Sequence, residues 1–303
     1  MHDELRGQAH RLDGLPQSGV DGVLYHLAID SAAGNLFLQL PLRRGVVYHN
    51  LTPARFLRGV SSLNFERVRD ARRALPRLAA AAELGIALSE YSRAELVGAG
   101  FARTAVCPMA VATPPAEVPR APAPATVLGV GRIAPNKRWE LAIRAMAALR
   151  RELPDARMEI AGNDEEMGPY ARALNGLSAR LNAGTVLRGK VSAAELEAAY
   201  ARATVLLLPS AHEGLGLPLL EAMARGVPVV ATARAAIPET VERAGLLCGD
   251  DPLEIAAALA RVITDPRLAG VLTARGRWRA ALYDDSLVRA RLAAAFASWG
   301  PDR

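Results

Sequence analysis

Cysteine is nearly missing from this chain, with 2 among 303 residues, Cys107 and Cys248, far apart in sequence. That excludes a disulfide framework and a paired-cysteine metal site, and both read as small apolar residues. No apolar run approaches the ~18 uninterrupted residues of a membrane span. The opening MHDELRGQAH has no apolar core of a secretory leader. The expected location is the cytoplasm. Aromatic residues are only 5% of the chain, and lysine is scarce, because the 37 positive residues are nearly all arginine. They outnumber 31 acidic residues for a net charge of +6. Composition alone does not choose among DNA, anionic lipid and phosphorylated ligands as partners. What is present is globular: 51% hydrophobic and 22% charged residues, over a length that suits two domains.

Between Val20 and Thr52 two short apolar runs, Val23–His26 and Val46–His49, read as buried strands around a helix at Asn35–Leu40. Glu66–Glu83 reads as a helix that Pro76 should kink or split. Ile86–Ser89 is a further strand and Ser92–Gly98 a further helix. The proline-rich segment Thr113–Pro124 continues neither element and reads as a linker.

Beyond it the alternation is cleaner. Strands are expected at Thr126–Gly131, Arg157–Ala161, Val186–Leu187, Val205–Leu208 and Val229–Ala231. Helices are expected at Trp139–Arg151, Pro169–Leu181, Ala193–Ala203 and Pro218–Arg225. Ser192 and Glu195 form a capping-box pattern. Almost continuous Val/Leu strands between helices imply a parallel sheet covered on both faces. From Pro252 to Trp299 the chain reads as nearly all helix. The expected units are residues 1–118, 119–285 and a final helix in 286–303 packed back toward the first unit.

The densest cluster is Pro209-Ser-Ala-His-Glu213-Gly-Leu-Gly-Leu-Pro-Leu-Leu-Glu221. A buried strand ends, a glycine-bearing loop follows, and a helix starts at Pro218, where proline is favoured. Free N–H groups at such a start attract anions. Gly214 and Gly216 admit close approach to the backbone, while Glu213 and Glu221 suit sugar and ribose hydroxyls. A zinc-protease reading of His212-Glu213 fails, because Gly216 stands where a second histidine is needed. In the second cluster, Val127-Leu-Gly-Val-Gly131-Arg132-Ile-Ala-Pro-Asn-Lys137, two cations follow a glycine at a strand end. They are placed to clamp a diphosphate. A dinucleotide fingerprint formally fits Gly129-x-Gly131-x-x-Ala134, but Pro135 delays the helix and the acidic partner is missing.

Gly131-Arg132 with Lys137, Gly189 after a short strand, and Glu213-x7-Glu221 within EGLGLPLLEAMARGVPVVAT together resemble glycosyltransferase family 4. The resemblance runs from Pro108 to about Asp284. It implies an α/β fold of the GT-B kind, two Rossmann-like domains facing a cleft. It implies a retaining transfer from a nucleoside-diphosphate sugar without a metal or other cofactor, in line with the lack of an Asp-x-Asp motif. Under that resemblance Arg132 and Lys137 meet the diphosphate, Glu213 and the amides of Gly214, Leu215 and Gly216 hold the sugar, and Glu221 meets the ribose. Tyr25-His26, Val47–Pro53 and Ser89–Arg93 are similar to one bacterial branch. There His26 matches the cleft histidine that touches the donor sugar, with His49 as a second candidate.

In that family a strand, glycine turn and helix precede this point, so the first domain is expected to lack its opening unit. A non-catalytic nucleotide-sugar-binding homologue is therefore an alternative; a sugar-nucleotide epimerase is disfavoured by the two-glutamate motif. Nine arginines between Arg43 and Arg77 stand against Glu66 and Asp70, 9 − 2 = +7. They read as a solvated face or as a surface for an anionic acceptor or the inner leaflet of a membrane. Thin aromatic interleaving, Phe56 and Phe65 alone, argues against nucleic acid. The expected acceptor is a glycan or a lipid-linked hydroxyl.

Overall fold

The computed structural model describes residues 19–112, 124–165 and 167–299. All of the linker Thr113–Pro124 except Pro124 lies outside them. Two wholly parallel sheets organise the chain. The first has the order β1-β2-β3-β4, from β1 (Gly22–Leu27), β2 (Arg43–Tyr48), β3 (Leu84–Ala87) and β4 (Thr104–Val106). The second comprises β5 (Thr126–Val130), β6 (Arg157–Ala161), β7 (Thr185–Gly189), β8 (Val205–Leu208), β9 (Val229–Thr232) and β10 (Leu246–Cys248). Its order is β10-β9-β8-β5-β6-β7. The chain therefore builds outward from β5 in one direction and returns to build from β8 in the other. The strand order reverses between β5 and β8, where the loops leaving the two carboxyl ends diverge and open a crevice.

The central strands are apolar along their whole length because both faces are covered. All four residues of β3, β8 and β9 are buried. One face of the second sheet packs on α4 (Trp139–Leu149) and α9 (Pro252–Thr264) around Trp139, Ile143, Met146 and Leu259. The other packs on α6 (Ala193–Arg202), α7 (Leu217–Ala224) and α10 (Pro266–Ala281) around Tyr200, Leu219, Leu220 and Met223. On the first sheet, α1 (Ala32–Gln39), α2 (Ser62–Ala81) and α3 (Glu90–Gly98) cover one face. The final helix, α11 (Asp285–Ala297), sets Ala295, Leu292 and Val288 against Leu84, Ile86 and Cys107 on the other. Two more helices, α5 (Gly168–Leu181) and α8 (Ile237–Val241), complete the set.

Three expectations are corrected. Helix α2 runs unbroken through Pro76. The proline sits on the exposed face, where water can satisfy the carbonyl it orphans, and Val68, Ala71, Leu75 and Leu78 anchor the helix on the sheet. The strand expected to reach His49 ends at Tyr48, and the one expected to reach Ser89 ends at Ala87. Ser89 instead caps α3, accepting from the Ser92 N–H at 3.1 Å. The capping box is present: Ser192 and Glu195 bond reciprocally at the start of α6.

Candidate active site

The carboxyl ends of the two sheets meet. Leaving β5, Gly131 (φ 149) lies in backbone territory that favours glycine, and a side chain there would press on Lys137, whose Cε lies 3.1 Å from the Cβ position. The turn Pro135–Lys137 then brings the lysine back over the strand end. Leaving β8 on the far side of the reversal, the loop carries Glu213. The loops are tied together: the Ala211 N–H donates to the Asn136 carbonyl at 2.8 Å, and Asn136 Nδ2 donates to the His212 carbonyl at 3.4 Å.

Lys137 and Glu213 are thus brought into contact. Lys137 Nζ lies 2.6 Å from Glu213 Oε1, each side chain only 11% exposed. The ammonium keeps further N–H donors and the carboxylate a second oxygen, so both can engage a ligand without parting. The nearest charged partner of Glu213 is a cation and not a second carboxylate, unlike the carboxyl pair of a retaining glycosidase.

Arg132 is exposed, and among the described residues its guanidinium meets no acceptor. With Asn163 and Asn64 it lines a cleft of about 170 Å³. Its carbonyl is fixed by Trp139 Nε1 at 2.9 Å. Among the described residues, the N–H groups of Gly214, Leu215 and Gly216 have no protein acceptor, and Gly216 (φ 79) opens α7 without a side-chain cap. Three free donors at a helix start form the anion-attracting arrangement expected there. Gly189 ends β7 with open space where a side chain would stand.

Glu221, one turn into α7, accepts from the Tyr200 hydroxyl at 2.7 Å. Tyr200 is buried, and burial beside Glu221 pushes its phenol well above the ordinary value. Tyr200→Phe keeps the ring and removes the donor. It is expected to lose about 1–2 kcal/mol in urea unfolding, and an unchanged midpoint would show that water replaces the bond.

On the first sheet, His26 Nδ1 and His49 Nε2 lie 2.9 Å apart. His26 is exposed one residue before the end of β1, and His49 follows β2. One proton bridges the pair. Burial, then the nearby His26, lowers the His49 pKa, and burial lowers that of His212. The folded state therefore binds these protons less readily than the unfolded chain, so stability rises with pH between the depressed values and the ordinary value near 6.5. Thermal unfolding is expected at a lower temperature at pH 5.5 than at pH 7.5. The difference should narrow in a His49→Gln/His212→Gln variant.

The arginines of 43–77 do not form one free patch. Arg43 pairs with Glu83, Arg69 with Glu66 and Asp70, and Arg73 with Asp70. Arg72 donates to the Leu51 carbonyl at 2.7 Å. Arg55, Arg58, Arg67 and Arg77 are exposed. Arg55 stacks over Phe56 and Arg58 over Phe65. Among the described residues no helix is long and apolar enough to cross a membrane, and no cluster of His, Cys, Asp and Glu suits a metal.

Two groups at the meeting of the sheets have no role in the sequence reading. Asn50 is buried at φ 65 and reaches His212. Glu239 of α8 accepts from the N–H groups of Glu90 and Tyr91 at 2.7 and 3.1 Å, so a carboxylate from the second sheet caps α3 of the first.

Residues 124–265 match the family described as Glycosyl transferases group 1. A GDP-mannose-dependent alpha-(1-6)-phosphatidylinositol monomannoside mannosyltransferase of Mycolicibacterium smegmatis is 34% identical over 163 residues, 50% of this chain and 42% of that protein. The D-inositol 3-phosphate glycosyltransferase of Thermobispora bispora is 36% identical over 57% of this chain and 43% of its own length. The chain thus spans under half the length of these relatives. Among solved structures, the sucrose-phosphate synthase of Thermosynechococcus elongatus superposes with a TM-score of 0.75 at 24% identity, over 93% of this chain and 74% of that one. The Anabaena protein Alr3699/HepE, in complex with UDP and glucose, gives 0.71 at 19% identity, over 88% and 74%. The fold of the chain is that of the GT-B glycosyltransferases.

Proposed function

We propose that the protein, whose residues 124–265 match the group 1 glycosyl transferases, moves a sugar from a nucleoside-diphosphate sugar to a hydroxyl acceptor with retention at the anomeric carbon. The observation that carries this reading is the gathering of Arg132, the Lys137–Glu213 pair and three free amides at the strand reversal, opposite the His26–His49 pair. In this reading Arg132 and Lys137 hold the diphosphate from Gly131 outward. They neutralise the charge that grows on it as the anomeric bond breaks. The amides of Gly214, Leu215 and Gly216 donate to the sugar, and to the oxyanion leaving it. The free oxygen of Glu213 accepts from a sugar hydroxyl. Glu221, oriented by Tyr200, accepts from the ribose, and Gly189 leaves room for the nucleoside. His26, backed by His49, contacts the sugar near the reacting carbon. The pairing of Glu213 with a cation supports transfer without a carboxylate nucleophile. The diphosphate, still held by the cations, is then the base nearest to an acceptor approaching on the same face.

No metal or other cofactor is invoked, since the two cations supply the positive charge. The acceptor is a glycan or lipid-linked hydroxyl. The exposed Arg55, Arg58, Arg67 and Arg77 offer peripheral contact to an anionic inner leaflet in the cytoplasm; no nucleic-acid role is proposed. The test is thermal unfolding with UDP, GDP, ADP and their sugar conjugates. One of these should stabilise the protein, by about 2.7 kcal/mol at a hundredfold excess over Kd. Arg132→Ala should weaken that binding by about 1.5–3 kcal/mol. A chain that none of them stabilises would overturn the reading.

A further inference from the structure

Glycine at 214 is expected for the sake of a ligand that must approach the backbone. The structure gives it a neighbour of its own. A Cβ on Gly214 would lie 2.5 Å from Asn50 Cβ and 3.1 Å from the His49 carbonyl oxygen. The space is taken by the other sheet.

Asn50 is held there firmly. It follows β2 in the left-handed backbone region (φ 65), which asparagine tolerates better than most residues, and its side chain is buried. Asn50 Nδ2 donates to Ser92 Oγ at 3.1 Å and to Glu95 Oε2 at 3.3 Å. Glu95 is fixed in turn by the Tyr48 hydroxyl at 2.5 Å and by Arg72. The remaining oxygen, Oδ1, meets Nε2 of His212, the residue before Glu213. As the amide oxygen can only accept, the imidazole donates. At Gly214, Ser89 Oγ and Ser92 Oγ both donate to the backbone carbonyl, at 2.6 and 3.1 Å. The loop that carries Glu213 is thus gripped at His212 and at Gly214 by the first sheet.

We propose that Asn50 is a positioning residue that holds the Glu213–Gly216 loop in its working shape from the opposite sheet, and that residue 214 is glycine to admit Asn50. This rests on the donor-site reading for its consequence in catalysis, but the grip itself is tested without activity. The conformation of Asn50 is free to glycine, so Asn50→Gly deletes the hold on His212 without straining the backbone, and leaves the serine bonds to Gly214 in place. The amides of Ala211, bonded to the Asn136 carbonyl, and Ala236, bonded to the Glu213 carbonyl, should exchange with deuterium at least tenfold faster in that variant, with those of β5 and β8 unchanged. Gly214→Ala should lower the unfolding temperature, and the loss should shrink by at least half when made on Asn50→Gly, which vacates the Cβ position. Should Asn50→Gly not fold, His212→Phe deletes only the donor and should give the same local acceleration, which His212→Gln, with its own N–H donor, reverses.

Equal exchange rates in wild type and variant, or a Gly214→Ala loss that is the same in both backgrounds, would overturn the proposal. The functional arm uses the nucleotide, UDP or GDP, that stabilises wild type. Its affinity should stay within about threefold in Asn50→Gly while turnover of the matching sugar nucleotide falls at least tenfold. Failure of wild type to bind either would count against the donor site alone.

Discussion

Lys137→Ala is expected to cost the protein about 3 kcal/mol of stability as well as its hold on diphosphate. The ammonium lies 2.6 Å from Glu213 Oε1 and both side chains are mostly buried. Deleting one partner of a buried pair leaves the other charge in a poorly solvated place, a change that costs about 3–5 kcal/mol for full burial. The residual 11% exposure on each side puts the effect near the lower end. Replacing both partners, as Lys137→Met/Glu213→Leu, should recover most of the loss, because two apolar side chains need no counter-charge. Urea unfolding of the two single variants and the double variant measures the coupling directly. A drop below about 1 kcal/mol for Lys137→Ala would show that water reaches the carboxylate and that the pair is a surface contact in effect. Calorimetry with the stabilising nucleoside diphosphate reads the second loss. It is separable, since Arg132→Ala should weaken binding without the stability cost.

For Glu213→Gln the expected result is a split. The amide keeps the shape and removes the charge, so Lys137 loses its counter-ion and is freer to meet a diphosphate. Binding of the nucleoside diphosphate should hold or tighten by a few-fold. Turnover of the sugar nucleotide should fall by about 100-fold or more, the range seen when one electrostatic contact to a reacting centre is removed. If binding and turnover fall together, Glu213 serves the shape of the loop and not the sugar. The ion pair sharpens what the motif alone suggests. Glu213 and Lys137 are not independent parts, and no variant of one leaves the other unaltered.

The motifs were legible because they sit at strand ends, where glycine, proline and charge interrupt apolar runs. The strands and helices of the second sheet read cleanly for the same reason. What could not be read was adjacency. Lys137 and Glu213 are 76 positions apart, and they touch because β8 lies beside β5, a fact of strand order that no local pattern encodes. The strands β4 and β10 have three residues each, too few for any periodicity. Pro76 reads as a helix breaker in the sequence, but its exposed position decides its effect, and exposure follows from the face that α2 turns to the sheet. Asn50 lies within Val47–Pro53, where the sequence reading gives it no role. Its signal was an asparagine directly after a strand, a place where left-handed backbone is common. Glu239 gave less: it reads as an ordinary first-turn acid of α8, and only its reach to the amides of α3 sets it apart.

Behind the cations lies a contact with no side chain in it. A Cβ at Gly162 would stand 1.8 Å from the carbonyl oxygen of Gly131, so the turns leaving β5 and β6 touch backbone to backbone. Every other residue type carries that Cβ. No single-codon path through position 162 leaves Gly131 where it is, and Gly131 carries Arg132 beside it and Lys137 over it. Under the proposed function, drift in this protein can therefore explore the loops around the crevice, and with them the choice of sugar and acceptor, far more freely than the end proposed to hold the diphosphate. A lineage that changed donors would be expected to alter the rim and inherit this junction untouched.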